Sequence, residues 1–317
     1  MTPTVHPSRL AAKDFLSVLD LAPAEFDHLL DLAGTLKRTR AEGRGGPQPL
    51  AGRHVAMLFE KPSLRTRITF VIAVRELGGE VIEPPSDVVF GGRESVEDVA
   101  HNLERWVGGA VVRTFAQARL ARFAAAATRM HVVNALTDEE HPCQALADVM
   151  TLVERFGSAR GLSLTYVGDG NNVAASLAHA GSLAGLRMTF ASPAGFELPA
   201  AVLADCARIA RHGSTIALSG DPVAAVAGAD AVYTDVWASM GQEEEADERA
   251  RIFEPFQVNR DLMSAASPRA VFMHCLPAHR GIEVTDQVMD SPNAVVFDQA
   301  ENRLHAQKAL LALLMAK

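Results

Sequence analysis

The sequence predicts an α/β protein of two doubly wound domains with mostly parallel sheets, linked by interdomain helices, and three observations carry that prediction. Short apolar runs of strand length alternate with longer stretches of helical period along nearly the whole chain. Glycine- and proline-rich turns punctuate the alternation, as at Gly43-Arg44-Gly45-Gly46-Pro47 and Gly78-Gly79. The length of 317 residues suits roughly two domains at ~150 residues each.

Taken in order, Pro23 stands where a first helical turn tolerates proline, and Phe26, Leu29, Leu30, Ala33 and Leu36 recur at helical spacing. His54 to Phe59 reads as a strand running into Lys61-Pro62-Ser63, and a helix is expected from about Leu64 to Leu77. A strand near Val81 follows, then a helix from Val96 to Trp106 with Ser95 and Asp98 as a capping pair, and strands at Ala110 to Arg113 and Val132 to Leu136. A long helix from Pro142 to Phe156 stops at Gly157, which puts the domain break near residue 150. The second half repeats the scheme: strand Leu164 to Val167, helix Asn172 to Leu183, strand Arg187 to Ala191, helix Pro199 to Ala210, then strands Thr215 to Leu218 and Ala231 to Thr234. Strands at Ala270 to Met273 and Val295 to Phe297 precede a last helix, Ala300 to Ala316, long enough to cross back to the first domain. In such folds ligands sit beyond the carboxyl ends of the strands.

Composition narrows the classes. With 48% hydrophobic and 21% charged residues the chain fills a sizeable core and does not have the profile of a disordered protein. A net charge of −8 gives no general attraction to nucleic acid or anionic lipid, so a small anion needs a local cluster of arginines. Cys143, Cys206 and Cys275 are an odd number without zinc-type spacing, so neither a disulfide framework nor a structural metal is expected, and a reducing, cytoplasmic compartment fits. Met1 to Phe15 lacks the apolar core of a signal peptide, and no stretch approaches the ~18 apolar residues of a membrane span.

Six constellations carry candidate chemistry. Phe59 to Phe70 places Ser63, Arg65, Thr66 and Arg67 where a strand end meets a helix start, and unpaired N–H groups, the helix dipole and guanidinium forks together suit a phosphate. The plainer alternative is that Ser63 caps the helix and the arginines face solvent. Arg113 at a strand end, with His141 and Gln144 at a helix entrance, can polarise a carbonyl and stabilise an oxyanion. Gly168-Asp169-Gly170-Asn171-Asn172-Val173 follows a strand but lacks the last glycine of a dinucleotide fingerprint; its asparagines suit a small polar ligand or a plain turn. Asp235 to Gln242 reads as a mobile loop whose acid can hold an ammonium group. His274-Cys275-Leu276-Pro277 ends another strand; without a Cys-His-Asn pattern, Cys275 is a weak nucleophile candidate. Arg303, in Glu301-Asn302-Arg303, is placed at the start of the last helix.

In order, S-x-R-T-R, an arginine at the next crossover, H-P-C-Q, D-G-N-N, D-x-W-x-S-M-G-Q, H-C-L-P and E-N-R resemble the motifs of the ornithine carbamoyltransferases, within the aspartate/ornithine carbamoyltransferase superfamily, from about Asp14 to the C-terminal helix. The resemblance implies carbamoyl transfer from carbamoyl phosphate to the δ-amine of L-ornithine, giving L-citrulline and phosphate. It implies a carbamoyl-phosphate-binding domain over 1–150, an ornithine-binding domain over 151–317 whose last helix (about 300–316) crosses back, and a homotrimer or assembly of trimers. No metal and no organic cofactor are implied. Carried over by motif, Ser63, Leu64, Arg65 and Thr66 form the phosphate cradle. Arg113, His141, Gln144 and Arg303 hold the carbamoyl end, and Asn171, Asn172, Asp235, Ser239 and Met240 bind ornithine. Cys275 and Leu276 lie by the attacking amine and the carbamoyl group, and Arg65, Arg113, His141 and Cys275 carry the catalytic roles.

Two positions depart from the family pattern: Leu64 replaces the usual threonine, and Val89 stands where many relatives have Gln or His reaching a neighbouring subunit. Sister enzymes acting on aspartate, putrescine or an acylated ornithine are the nearest alternatives. Aspartate enzymes usually carry H-P-L-P and lack Ser239-Met240-Gly241, and an acylated ornithine has no free α-ammonium for Asp235. A nicotinamide dehydrogenase and a non-catalytic binding protein are more distant alternatives.

Overall fold

The computed structural model describes residues 9–85, 92–238 and 245–316. They form two compact units, Met1–Leu146 with Arg303–Lys317, and Ala147–Asn302.

The first unit holds an all-parallel sheet of β1 (His54–Phe59), β2 (Glu80–Ile82), β3 (Gly109–Arg113) and β4 (His131–Leu136), in the order β2-β1-β3-β4. Its helices include α1 (Pro23–Ala41), α2 (Arg65–Glu76), α3 (Val96–Leu103) and α4 (Gln117–Ala126). Because side chains alternate along a strand, Ala56, Leu58, Ala110, Val112 and Val132 face one way, and Val99, Ala100, Leu120 and Phe123 from α3 and α4 cover them. Ser95 caps α3 by accepting the N–H of Asp98 at 3.0 Å. The helix expected to reach Trp106 ends at Leu103. The turn bonds of Arg105 to Val107 replace the last helical turn, and Trp106 is left exposed.

α5 (Pro142–Phe156) carries the chain into the second unit, and α12, introduced below, carries it back. That unit has a parallel sheet of β5 (Ser163–Val167), β6 (Arg187–Ala191), β7 (Thr215–Ser219), β8 (Ala231–Thr234) and β9 (Val271–His274), in the order β7-β6-β5-β8-β9. Its helices are α6 (Asn172–Ala184), α7 (Ala200–Ile209), α8 (Pro222–Val226), α9 (Ala246–Phe253), α10 (Arg260–Ala265) and α11 (Asp286–Met289), followed by α12 (Val296–Leu314). From Val173 to Ala184, α6 is buried on every side. Small residues make this possible: a Cβ at Gly181 would lie 2.3 Å from the Met188 sulfur.

One expected strand is absent. Val295 to Phe297, a short apolar run, is expected as a strand, but α12 begins at Val296, and among the described residues a bridge between Phe272 and Ala294 is what joins this segment to the sheet. Arg303 therefore sits inside α12 and not at its start. Short apolar runs do not by themselves separate a strand from the first turn of a buried helix.

In both sheets the chain leaves the middle strand in opposite directions, at β1/β3 in one unit and β5/β8 in the other. Loops diverge there and open a crevice at the carboxyl ends of the strands. The segments after β1 and β3, and after β5 and β8, are those that carry the candidate residues.

Candidate active site

At the β1/β3 switch point of the first unit, α2 starts at Arg65 with Leu64 as its N-cap, and no side chain caps it. The alternative in which Ser63 caps α2 is thus not realised; Ser63 is half-buried and Leu64 is exposed. Leaving the cap vacant keeps the positive end of the helix available to an anion. Arg67 faces away from this role, pairing with Glu83 and lying 4.9 Å over the Phe59 ring.

Arg113, at the end of β3, is buried, as are His141, Gln144 and Arg303. Thr66 accepts a hydrogen bond from Arg303 Nη2, which draws α12 onto the first turn of α2. His141 is held well below the usual histidine range, first by burial and then by the charges of Arg303, Arg113 and Arg65. All three guanidiniums are thus near enough to act on one imidazole and favour its neutral form. The neighbouring Cys143 is pushed up to about 12 by burial, and its Sγ lies 3.4 Å from the Asn134 carbonyl, so this thiol is inert.

Sequence reasoning passed over the supports of this cluster. The Glu60 N–H donates to the Arg113 carbonyl at 2.9 Å, and the Glu60 carboxylate accepts from Thr114 and Arg119, fastening the end of β1 to the end of β3. Lys61 pairs with Asp138 and lies 4.4 Å over the Phe115 ring. Both residues stand in the Phe59 to Phe70 segment, and their charge at the end of an apolar strand is the available signal.

At the β5/β8 switch point of the second unit, Asn171 caps α6, its Oδ1 accepting from the N–H groups of Val173 (3.0 Å) and Ala174 (3.1 Å). The plain-turn reading of Asn171 is thus correct for its oxygen. Its Nδ2 donates to Asp235 Oδ2 at 3.0 Å, and Cys275 Sγ donates to Asp235 Oδ1 at 3.0 Å. Asn172 opens α6 beside it, half-buried. Gly170 is required sterically: a Cβ there would lie 2.5 Å from the Glu197 backbone. Crowding against that loop, and not a pyrophosphate, explains this glycine.

Leu276 follows Cys275 with φ of 61°, a left-handed conformation, and its N–H donates to His274 Nδ1 at 2.9 Å. His274 Nε2 lies 3.3 Å from the Glu283 carboxylate. Asp235, His274 and Cys275 each offer a donor atom within 4.8 Å of the others, a set of metal-ligand types in which both His274 nitrogens already face protein groups. Cys275 and Leu276, expected to lie by the amine and the carbamoyl group, stand in the second unit, where Cys275 Sγ donates to Asp235. Ser239, Met240 and Val89 lie outside the described residues.

Arg249 was not singled out. It is buried, donates to the Trp237 carbonyl and to Asp169, and lies 4.9 Å and 5.3 Å from the rings of Phe196 and Phe253. It ties the loop after β5 to the loop after β8.

One unit that presents guanidiniums to an anion, and another that holds a buried acid with neutral donors, define a two-substrate α/β enzyme. Residues 13–154 match the family model for the aspartate/ornithine carbamoyltransferase carbamoyl-P binding domain, and residues 160–314 match that for the Asp/Orn binding domain. An ornithine carbamoyltransferase from Parafrankia is 52% identical over 308 residues, covering 96% of this chain and 97% of that relative. Among solved structures, the ornithine carbamoyltransferase from Pyrococcus furiosus superposes with a TM-score of 0.93 at 47% identity, covering 97% of this chain and 98% of that one. The enzyme of the same name from Thermus thermophilus gives 0.86 at 44%, covering 96% and 99%. The chain belongs to the aspartate/ornithine carbamoyltransferase family.

Proposed function

We infer that the chain transfers the carbamoyl group of carbamoyl phosphate to the δ-amine of L-ornithine, giving L-citrulline and phosphate. The observation that carries this reading is the gathering of Arg65, Arg113 and Arg303 around the neutral, buried His141. In this reading the first unit binds carbamoyl phosphate: Ser63, Leu64, Arg65 and Thr66 cradle the phosphate, and Arg113, His141, Gln144 and Arg303 hold the carbamoyl group. The second unit binds ornithine: Asp235 holds the α-ammonium, assisted by Asn171, Asn172, Ser239 and Met240. The domains accordingly divide as about 1–150 and 151–317, with the last helix returning to the first.

The δ-amine attacks the carbamoyl carbon, and the tetrahedral oxyanion collapses with cleavage of the carbon–oxygen bond to phosphate. A neutral imidazole N–H and guanidinium groups stabilise charge growing on the carbonyl oxygen and on the leaving group. The amine, with a usual pKa near ~10, must shed a proton to react, and desolvation beside the buried Cys275 and Leu276 favours the neutral form. Every bond change is balanced by the two substrates alone, so no redox or electrophilic cofactor enters. A homotrimer or assembly of trimers and a cytoplasmic location complete the reading. Among the described residues no helix is long and apolar enough to cross a membrane.

The test is citrulline formation from carbamoyl phosphate with L-ornithine, run in parallel with aspartate, putrescine and N-acetyl-L-ornithine. Selective turnover of ornithine is expected. Turnover of another amine would overturn the role of Asp235, and no turnover would overturn the reading.

A further inference from the structure

The sheet of the first unit has a second edge, where β1, β3 and β4 begin. There Arg9, Arg53, Arg129, His54, His131 and Trp106 line a recess of about 410 Å³. The three strands are five or six residues long. At ~3.3 Å per residue the recess therefore lies roughly 16–20 Å from the strand ends that carry Arg113 and lead to Arg65. It is separate from the site described above.

Its charge is one-sided. No acidic side chain among the described residues lines it. Arg53 Nη1 donates to the Met315 carbonyl at 2.6 Å, and Arg9 Nη2 lies 3.4 Å from His131 Nε2. His131 is buried, and its Nδ1 donates to the Lys13 carbonyl at 2.6 Å, leaving Nε2 as the acceptor that orients Arg9. Among the described residues, none of the three guanidiniums forms a salt bridge with a carboxylate. The nearby Glu104 carboxylate accepts the Arg129 backbone N–H at 3.0 Å and is not part of the lining. Glu104 also feels the Arg129 charge from outside the lining, but acidic residues outnumber basic ones in this chain, so three guanidiniums on one recess with no acid among its described lining residues is a specific arrangement, and planar forks of this kind match phosphoryl oxygens.

We propose that this recess is a second anion site, which takes a phosphoryl group as free phosphate or as a phosphate monoester. Trp106, 69% exposed at its rim, offers an indole face to an aromatic ester.

Calorimetric titration of the full chain with inorganic phosphate should give two sites per chain. Arg9→Gln with Arg129→Gln should remove one, or weaken it at least about tenfold. Neither side chain holds a backbone group, so Tm and citrulline formation should stay unchanged. Arg113→Met should remove the other site and leave the recess intact. Trp106 and Trp237 are the two tryptophans, so in a Trp237→Phe background Trp106 emission reports the recess alone. It should respond to phosphate, and the Arg9/Arg129 replacements should abolish that response. Phenyl phosphate binding more tightly than phosphate, with the gain lost in Trp106→Ala, would identify the ester as the ligand; equal binding would identify free phosphate. One phosphate per chain in the unaltered protein, or two that survive the Arg9/Arg129 replacements, would overturn the proposal.

Discussion

Replacing Asp235 by asparagine should separate acceptor binding from fold stability. The Asp235 carboxylate is 5% exposed, and its hydrogen bonds come from two neutral donors, Cys275 Sγ and Asn171 Nδ2, each at 3.0 Å. Among the described residues these neutral donors are its hydrogen-bond partners, and a buried carboxylate compensated by neutral donors carries a desolvation penalty, so an amide of the same shape should leave the unliganded protein as stable as before or more so. Acceptor binding moves the other way. An ammonium about 4 Å from a carboxylate at an effective dielectric of ~20 gains roughly 4 kcal/mol, and an amide oxygen recovers part of that as an ordinary hydrogen bond of about 1 kcal/mol. The net loss of about 3 kcal/mol corresponds to a fall of roughly 100- to 200-fold in kcat/KM for ornithine. The assay is initial-rate citrulline formation with ornithine varied at saturating carbamoyl phosphate, then the reverse, with calorimetric unfolding in parallel. The reasoning fails if kcat/KM for ornithine is unchanged, if only carbamoyl phosphate kinetics suffer, or if Tm falls by several degrees.

Arg65→Ala should lower kcat/KM by about a thousandfold, the scale of removing a charged transition-state contact, with Tm almost unchanged; near-normal kinetics would remove Arg65 from the phosphate cradle. Because His141 sits below its unfolded value near 6.5, the unfolded chain binds its proton first as pH falls. The stability it contributes is therefore complete above pH ~6.5 and lost below it at up to about 1.4 kcal/mol per pH unit, and His141→Gln should flatten that part of the Tm-against-pH curve. Arg249→Met leaves the mostly buried Asp169 without its cation, so a loss of about 3 kcal/mol and a raised KM for ornithine are expected by denaturant unfolding and kinetics. Asn171→Asp keeps the α6 cap but faces Asp235 with a second acid, whereas Asn171→Ala loses the cap at about 1 kcal/mol. Both variants should therefore lose stability, the alanine variant at all pH values and the aspartate variant mainly at neutral pH, where the two carboxylates repel; a Tm of the aspartate variant that does not rise relative to the alanine variant on acidification would refute the pairing with Asp235.

Legibility in the sequence followed periodicity. β1 (His54–Phe59), α5 (Pro142–Phe156) and β8 (Ala231–Thr234) have the limits their patterns predicted, because each is a long or uniform run bounded by turn residues. Where a run is three residues long, as at Val295 to Phe297, the period cannot choose, and tertiary packing, which buries Val295 and Val296 at the start of α12, decides. α4 was not predicted although Leu120, Phe123 and Ala124 form its buried stripe, and the short helices α8, α10 and α11 were not predicted, since helices of four to six residues take their stability from tertiary contacts. The placement of the candidate site followed from topology, because the switch points lie where the motif-bearing loops emerge. What the sequence did not yield were the supports: Glu60 to Thr114 and Arg119, and Arg249 to Trp237 and Asp169, span 54 to 80 positions except for the contact with Trp237. Such partners come together only after folding.

The neutral state of His141 bears on how the anion site works. An imidazolium in the middle of Arg65, Arg113 and Arg303 would add a fourth positive charge to a buried cluster, and burial together with those charges excludes it. The side chain that remains is a donor whose strength does not depend on holding an extra proton above pH ~6.5. In the proposed function, charge for the phosphate would come from guanidiniums, which stay ionised throughout, while the imidazole would supply direction toward a developing oxyanion. The second unit would invert the arrangement: Asp235 is buried beside the neutral donors Asn171 and Cys275, and a cationic acceptor would give this carboxylate a partner of opposite sign.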